Sequence, residues 1–294
     1  MEAISVSVRR GAIVEARHRV HAVAVRDGEV VVAAGEPDLV CFFRSSAKPF
    51  QALPVVRTRH DLDSREIAIA CASHQAEPAQ LEAVRALLAK APATEDDLEC
   101  GDQEERPPGR VYHNCSGKHA GFLALCRARG WETEGYRLPS HPLQRELAAE
   151  VTGAAGLPEA GIPTAADGCG VVTWGLPLHA MARSFSRLPA LDYAHRVLAA
   201  MRAHPELVGG RGALDTALMQ ELPGWVAKRG AEGLLCAVSP DGLGIAVKAE
   251  DGNPRPLGPA LAWFLATLGV DPEDFGSMQV ENSRGDVVGD VAVT

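Results

Sequence analysis

Ser45 and Lys48 stand three residues apart in Arg44-Ser45-Ser46-Ala47-Lys48-Pro49-Phe50, at a junction that reads as strand running into helix. On a helical turn that spacing puts two side chains on one face, about 5–6 Å apart at Cβ. A serine hydroxyl is a weak nucleophile until a base takes its proton, and a lysine neutralised by burial or by a second cation can be that base. The free N–H groups of a helix start would face a developing oxyanion. The plainer alternative is an N-cap serine beside an unrelated lysine.

Four further segments carry reactive residue types. In Cys71-Ala72-Ser73-His74-Gln75-Ala76-Glu77-Pro78, after an apolar strand-like run, Ser73 can relay a proton, whereas His74 can as easily cap or pack as meet a substrate. In His113-Asn114-Cys115-Ser116-Gly117-Lys118-His119, Cys115, Lys118 and His119 recur on one helical face, which suits a Cys–His pair or a metal site. A phosphate-binding loop is excluded there, because the upstream glycine and the Ser/Thr after the lysine are missing. Asp167-Gly168-Cys169-Gly170 presents an acid and a thiol on a glycine-flanked turn, and Lys248 lies in a strand-like GIAVKAEDG.

Composition sharpens the lysines. Of 29 basic residues only five are lysine, and the other 24 are arginine. Where arginine fills most cationic positions, a remaining lysine is a candidate for work that arginine, which does not deprotonate, cannot do. Lys48, Lys118 and Lys248 fall in the marked segments; Lys90 and Lys228 read as ordinary surface residues that should tolerate arginine. A net charge of −9 with no basic block argues against nucleic acid and anionic membrane as partners. Seven cysteines without tandem pairs fit reduced thiols. No signal-like start and no apolar run of membrane length are visible, so a cytoplasmic protein is expected.

The elements that must position these groups follow from periodicity. With 294 residues, 46% hydrophobic and 23% charged, the chain can build a sizeable core, and one domain over 1–294 is expected. Alternation over the first forty residues, with a hairpin at Asp27-Gly28, predicts strands. Helix-start signals then recur from Pro49 to Glu221, and β pattern returns in Gly233–Gly252 around Pro240-Asp241-Gly242 and in the final VVGDVAVT. The expectation is a mixed α/β (α+β) fold: an antiparallel sheet from about 1–45 and 230–294, with a largely helical middle over about 46–229.

Four strings in this order, RSSAKPFQALP, CASHQAEP, HNCSGKHAGFLA and ADGCGVVTWGLPL, resemble the bacterial asparaginase II family of the Rhizobium etli type across about residues 5 to 290. The resemblance implies a fold similar to serine β-lactamases and glutaminases, a homodimer, and hydrolysis of L-asparagine to L-aspartate and ammonia. It implies Ser45 as nucleophile, Lys48 as its base, and Ser73 with Lys248 as a second serine–lysine pair. It further implies zinc on Cys115, Lys118 and Cys169, positioning substrate rather than generating the nucleophile, with Asp167, His119 and His74 around the substrate. The chain departs from the family pattern at Gln75-Ala76, where Ser-Gly is expected, and at Val172, where proline is expected. Rival readings are a glutaminase or β-lactam hydrolase on the same fold, and a non-catalytic amino-acid or zinc-binding protein.

Overall fold

In the computed structural model, which describes residues 1–272 and 277–294, both ends of the chain are strands. β1 (Ile4–Arg10) turns into the long β2 (Ile13–Arg26). Asp27 and Gly28 then take φ of 53° and 84°, the left-handed pair that a tight hairpin needs, and β3 (Glu29–Ala34) returns along β2. After β4 (Val40–Phe42) come α1 (Lys48–Thr58), α2 (Ser64–Ala70), α3 (Pro78–Lys90), α4 (Ser116–Arg129) and α5 (Pro142–Ala155). β5 (Thr164–Ala166) and β6 (Val172–Pro177) precede α6 (Leu178–Arg187), α7 (Ala194–Ala203), α8 (Pro205–Val208) and α9 (Leu214–Glu221). The chain closes with β7 (Val226–Gly230), β8 (Leu234–Val238), β9 (Gly244–Ala249), α10 (Leu257–Thr267), β10 (Ser277–Glu281) and β11 (Val287–Val293).

The main sheet runs β10-β11-β1-β2-β9-β8-β7, with β3 also on β2, and its pairs are antiparallel. Val6 opposite Val293 and Val20 opposite Ala249 join the two ends of the chain, as the alternation predicts. α6 lies across β9 and β2, and Phe185 from α6 meets Phe50 of α1 with ring centroids 5.3 Å apart. Phe43, just before the serine–lysine segment, joins them at 5.7 Å from Phe50. Each such ring contributes about 1.5–3 kcal/mol by leaving water, so the start of α1 is anchored by the core itself.

Within the largely helical middle, β5 and β6 pair with β4 in a second, three-stranded sheet. Two expectations are corrected. β7, starting at Val226, takes Lys228 into the main sheet and buries it, so it is not a surface residue. The apolar run Ile67–Ala70 is not a strand but the body of α2. A capping box fixes its start: the Asp63 carboxylate accepts from the Glu66 N–H, and the Glu66 carboxylate accepts from the Asp63 N–H. α2 packs against α3, α4 and α7, so it is apolar all round, and a short run of that kind has no periodicity to reveal its class. No helix among the described residues is long and apolar enough to cross a membrane.

Candidate active site

The serine–lysine segment is held by β6. Phe43 N–H donates to the Trp174 carbonyl, and Arg44 N–H donates to Thr173 Oγ1. Arg44 sits at φ 49°, a conformation that costs a non-glycine residue energy, and its guanidinium is fixed by Asp167 at 2.6 Å. The chain then enters a 3₁₀ turn over Arg44–Ala47 that runs directly into α1. The two serines diverge here. Ser46 is buried and donates to the Lys228 carbonyl at 2.9 Å, tying the turn to the edge strand β7. Ser45 is half-buried, and its hydroxyl has no hydrogen-bond partner among the described residues. It lines a cavity of about 330 Å³ together with Ser73, Asn114, Arg229, Glu232 and Gly252.

Lys48 lies behind that cavity at 1% exposure. Its ammonium donates to the Ala72 carbonyl and, at 3.0 Å, to Ser73 Oγ; no carboxylate pairs with it among the described residues. Ser73 is placed by the loop after α2, where its N–H donates to the Val208 carbonyl. The structure thus brings Ser45, Lys48 and Ser73 together, with the recorded lysine–serine bond to Ser73. Lys248 is not in that group. It lies on β9 opposite His21, donates to the Ala249 carbonyl, and its charge acts on the Cys41 thiol of β4.

The strand lysine beside the serine–lysine pair is Lys228, contrary to its reading as a surface residue. It is fully buried, and its ammonium lies 3.2 Å from the equally buried Asp215. Burial pushes Lys228 down to about 8; Asp215 opposes the shift, and the charge of Lys48 adds to it. Asp215 also accepts from the Arg229 N–H at 3.1 Å; although burial works against ionisation, Lys228 and Arg229 hold its carboxyl below the usual range. Sequence reasoning missed Lys228, Asp215, Arg229 and Arg44. A signal existed for the first alone: Val226 and Lys228 share a face if the strand starts at Val226.

The thiol residues converge on the other side of Asn114. Gly117, in the first turn of α4, has no room for a side chain: a Cβ there would lie 2.2 Å from the Ile69 carbonyl oxygen of α2. This backbone contact sets Cys115 and Lys118 close to the loop that carries Ser73. Lys118 Nζ is 3.0 Å from Cys169 Sγ, and both residues are buried. A hydrogen bond from Cys169 pushes the Cys115 thiol well below its usual value, against burial and aided by Lys48 and Lys118; Cys169 is raised correspondingly. Burial alone would lower Lys118, but the two thiols and Asp167 raise it. His119 Nδ1 lies 2.7 Å from Tyr136 Oη, which also accepts from the Glu99 N–H. The buried Nε2 of His119 has no partner among the described residues. His74 is enclosed with both ring nitrogens engaged, by Ser116 Oγ and by the Ala76 N–H, and burial pushes it down to about 3. Ala76 itself takes φ 61°, at the position where the family pattern has glycine.

No group of three or more His, Cys, Asp or Glu side chains among the described residues is placed to hold a metal ion. A zinc site therefore requires Lys118 as a donor. The set fits on its chemistry: two thiols and an amine, buried and in mutual contact, are donors that zinc accepts, with a fourth position left open. The amine must give up the proton that the thiols now favour. A larger cavity, of about 440 Å³, is lined by Asp96, Asp97, Glu99, Arg110, Glu134 and Arg137 and contains none of the reactive groups.

A free serine hydroxyl and a second serine bonded to a buried lysine share one cavity, with a further buried lysine behind them whose pKa is lowered; such a cluster is able to transfer an acyl group through serine. The chain belongs to the L-asparaginase II family, which it matches over residues 6–293. It is thus of an amidohydrolase type whose substrates are small molecules. Among solved structures it is similar to a β-lactamase (Mb2281c) from Mycobacterium bovis, with 15% identity over 80% of this chain and 88% of that one and a TM-score of 0.36. It is also similar to the octameric penicillin-binding protein homologue from Pyrococcus abyssi, with 13% identity over 87% and 74% of the two chains and a TM-score of 0.35. No curated protein sequence matches it.

Proposed function

We propose that this protein hydrolyses L-asparagine to L-aspartate and ammonia through an acyl-enzyme on Ser45. The observation that carries the reading is the unengaged Ser45 hydroxyl in the same cavity as Ser73, whose Oγ meets Lys48 Nζ at 3.0 Å. Ser45 Oγ attacks the side-chain amide carbon while its proton passes to the Lys48 amine. Ser45, Gly230 and Ala231 all line the cavity, so backbone N–H groups of the serine turn and of the edge of β7 are at hand for the oxyanion. The carbon–nitrogen bond then breaks as the proton moves from Lys48 through Ser73 to the leaving nitrogen. Water, deprotonated along the reverse route, cleaves the ester and returns the proton to Ser45.

Lys228 takes the role that the resemblance gave to Lys248. It sits behind Lys48 as a second, titratable amine, and mutual repulsion disfavours two full charges there. Cys115, Lys118 and Cys169 would hold zinc, which when bound supplies a fixed positive charge beside the cavity. Asp167 acts through Arg44, whose position it fixes next to Ser45. A homodimer belongs to the same proposal and is checked by light scattering.

The decisive measurement is ammonia release from L-asparagine, with L-glutamine and a chromogenic β-lactam as rival substrates. We expect asparagine to be preferred and Ser45→Ala to lose at least about a thousandfold, as expected when a nucleophile is removed. Turnover retained by Ser45→Ala, or a preference for either rival, overturns the reading.

A further inference from the structure

Glu232 is the one side chain in the cavity wall whose backbone is strained. It occupies the turn between β7 and β8 at φ 59°, a conformation that glycine adopts freely and glutamate does not. Its neighbour Gly233 has φ 62° and supplies the closeness of the turn: a Cβ there would meet Ala249 Cβ at 2.8 Å and the Asn253 carbonyl at 2.9 Å. The Glu232 carboxylate rests over the bare Cα of Gly252, where a Cβ would come within 2.7 Å of Oε2. Two turns are thus pressed together with this carboxylate at their seam, facing the cavity that Ser45 lines. No hydrogen bond or ion pair to Glu232 is formed among the described residues. Glu232 and Gly233 are the left-handed pair of the tight β7–β8 hairpin, and at the first of these positions the chain carries an exposed, unpaired carboxylate on the rim of the cavity rather than the asparagine or glycine that fits there without strain.

Three residues earlier, Arg229 lines the same cavity. Its Nη2 donates to the Ser73 and Gly209 carbonyls, while Nη1 has no protein acceptor among the described residues. A second guanidinium, Arg106, lies close enough for the two to repel, and burial with that repulsion lowers Arg106. Arg229 Nε lies 3.7 Å from Asp215, but that carboxylate is shared with Lys228, so one anion faces three cations there and Nη1 is left open, while the Glu232 carboxylate has no cation partner among the described residues.

We infer that Glu232 binds the α-ammonium group of the substrate and Arg229 its α-carboxylate, so that the site selects a free α-amino acid among compounds bearing the same amide. This rests on the amidohydrolase reading and specifies what that site recognises beyond the amide itself. A zwitterion carries both charged groups on one carbon, which a glutamate and an arginine lining the same cavity can grip while the side-chain amide reaches Ser45. An amide without the ammonium leaves Glu232 unpaired.

The test uses L-asparagine and succinamate, which is the same molecule without the amino group. Wild-type kcat/KM should favour asparagine by about 10- to 100-fold, the range of one charge-assisted hydrogen bond. In Glu232→Gln that preference collapses, chiefly through a raised KM for asparagine. Glu232→Gly should lose the same preference yet melt at a higher temperature, because glycine fits φ 59° without strain; this separates recognition from folding. Calorimetric binding of both ligands to Ser45→Ala protein, with and without Glu232→Gln, reads recognition without turnover. If that binding difference is present but the wild-type protein releases no ammonia, the amidase reading fails and the Glu232 assignment stands. An asparagine preference unaltered by Glu232→Gln, or equal binding of the two ligands, overturns the assignment.

Discussion

Lys228 and Lys118 are both buried, both lie beside the same cavity region, and are driven in opposite directions. At Lys228 burial wins, with the charge of Lys48 behind it, and the amine is pushed down to about 8 despite a carboxylate at 3.2 Å. At Lys118 the two thiols and Asp167 outweigh burial, and the ammonium form is favoured. Loss of water acts downward at both sites: at Lys228 a single carboxylate does not overcome it, whereas at Lys118 two thiols and Asp167 together do. One amine is held near its titration point and the other is kept charged; in the proposed function the first exchanges a proton and the second would yield its proton to zinc. Arginine would preserve the charge at both places but could give up a proton at neither.

Exchanging lysine for arginine is accordingly the sharpest way to break the comparison. Lys228→Arg keeps the ion pair with Asp215 but removes the titratable amine, so kcat/KM should fall by at least about a hundredfold. The pH profile carries the same information. With Lys228 needed in its neutral form, wild-type kcat/KM should rise about tenfold per pH unit toward about 8 and then level, and Lys228→Arg should lose that limb. A flat wild-type profile between pH 6 and 8 would assign the proton transfer elsewhere. Lys118→Arg should act differently: it keeps a positive charge beside the thiols, so the metal-free melting temperature changes little, but zinc affinity drops by more than about tenfold. Equilibrium dialysis against zinc, with a parallel melt, checks both halves of that expectation. The smallest effect is expected at Lys90, which is partly exposed and paired with Glu66 at 2.7 Å. Lys90→Arg should leave activity unchanged and stability within about 0.5 kcal/mol.

Local spacing made some of this site legible and hid the rest. Ser45 and Lys48, or Cys115 and Lys118, are close because they are near in sequence, and no tertiary fold is needed to see it. The strands at both ends were equally plain, because one wet face and one dry face write alternation into the residues. What spacing cannot show is a partner from elsewhere. Lys48 bonds to Ser73, 25 residues on, rather than to Ser45; Lys228 needs Asp215 from α9 to be recognised as a buried cation. The proposed strand lysine was hard to see because Lys248 sits in a long, clear strand pattern, whereas Lys228 follows Pro223-Gly224-Trp225, which reads as a turn and obscures the start of β7. Backbone strain was invisible for a different reason: nothing in the identities of Arg44, Ala76 or Glu232 announces a positive φ, and only the surrounding contacts impose it.

The contact at Gly117 ties the two lysine environments to each other's history. Because the backbone of α4 touches the Ile69 carbonyl of α2 with no intervening methyl, a single-base change at that codon to any other residue must separate two helices rather than displace one side chain. Such a change would shift the serine half and the thiol half together. One missing methyl group thus couples the spacing of the two centres.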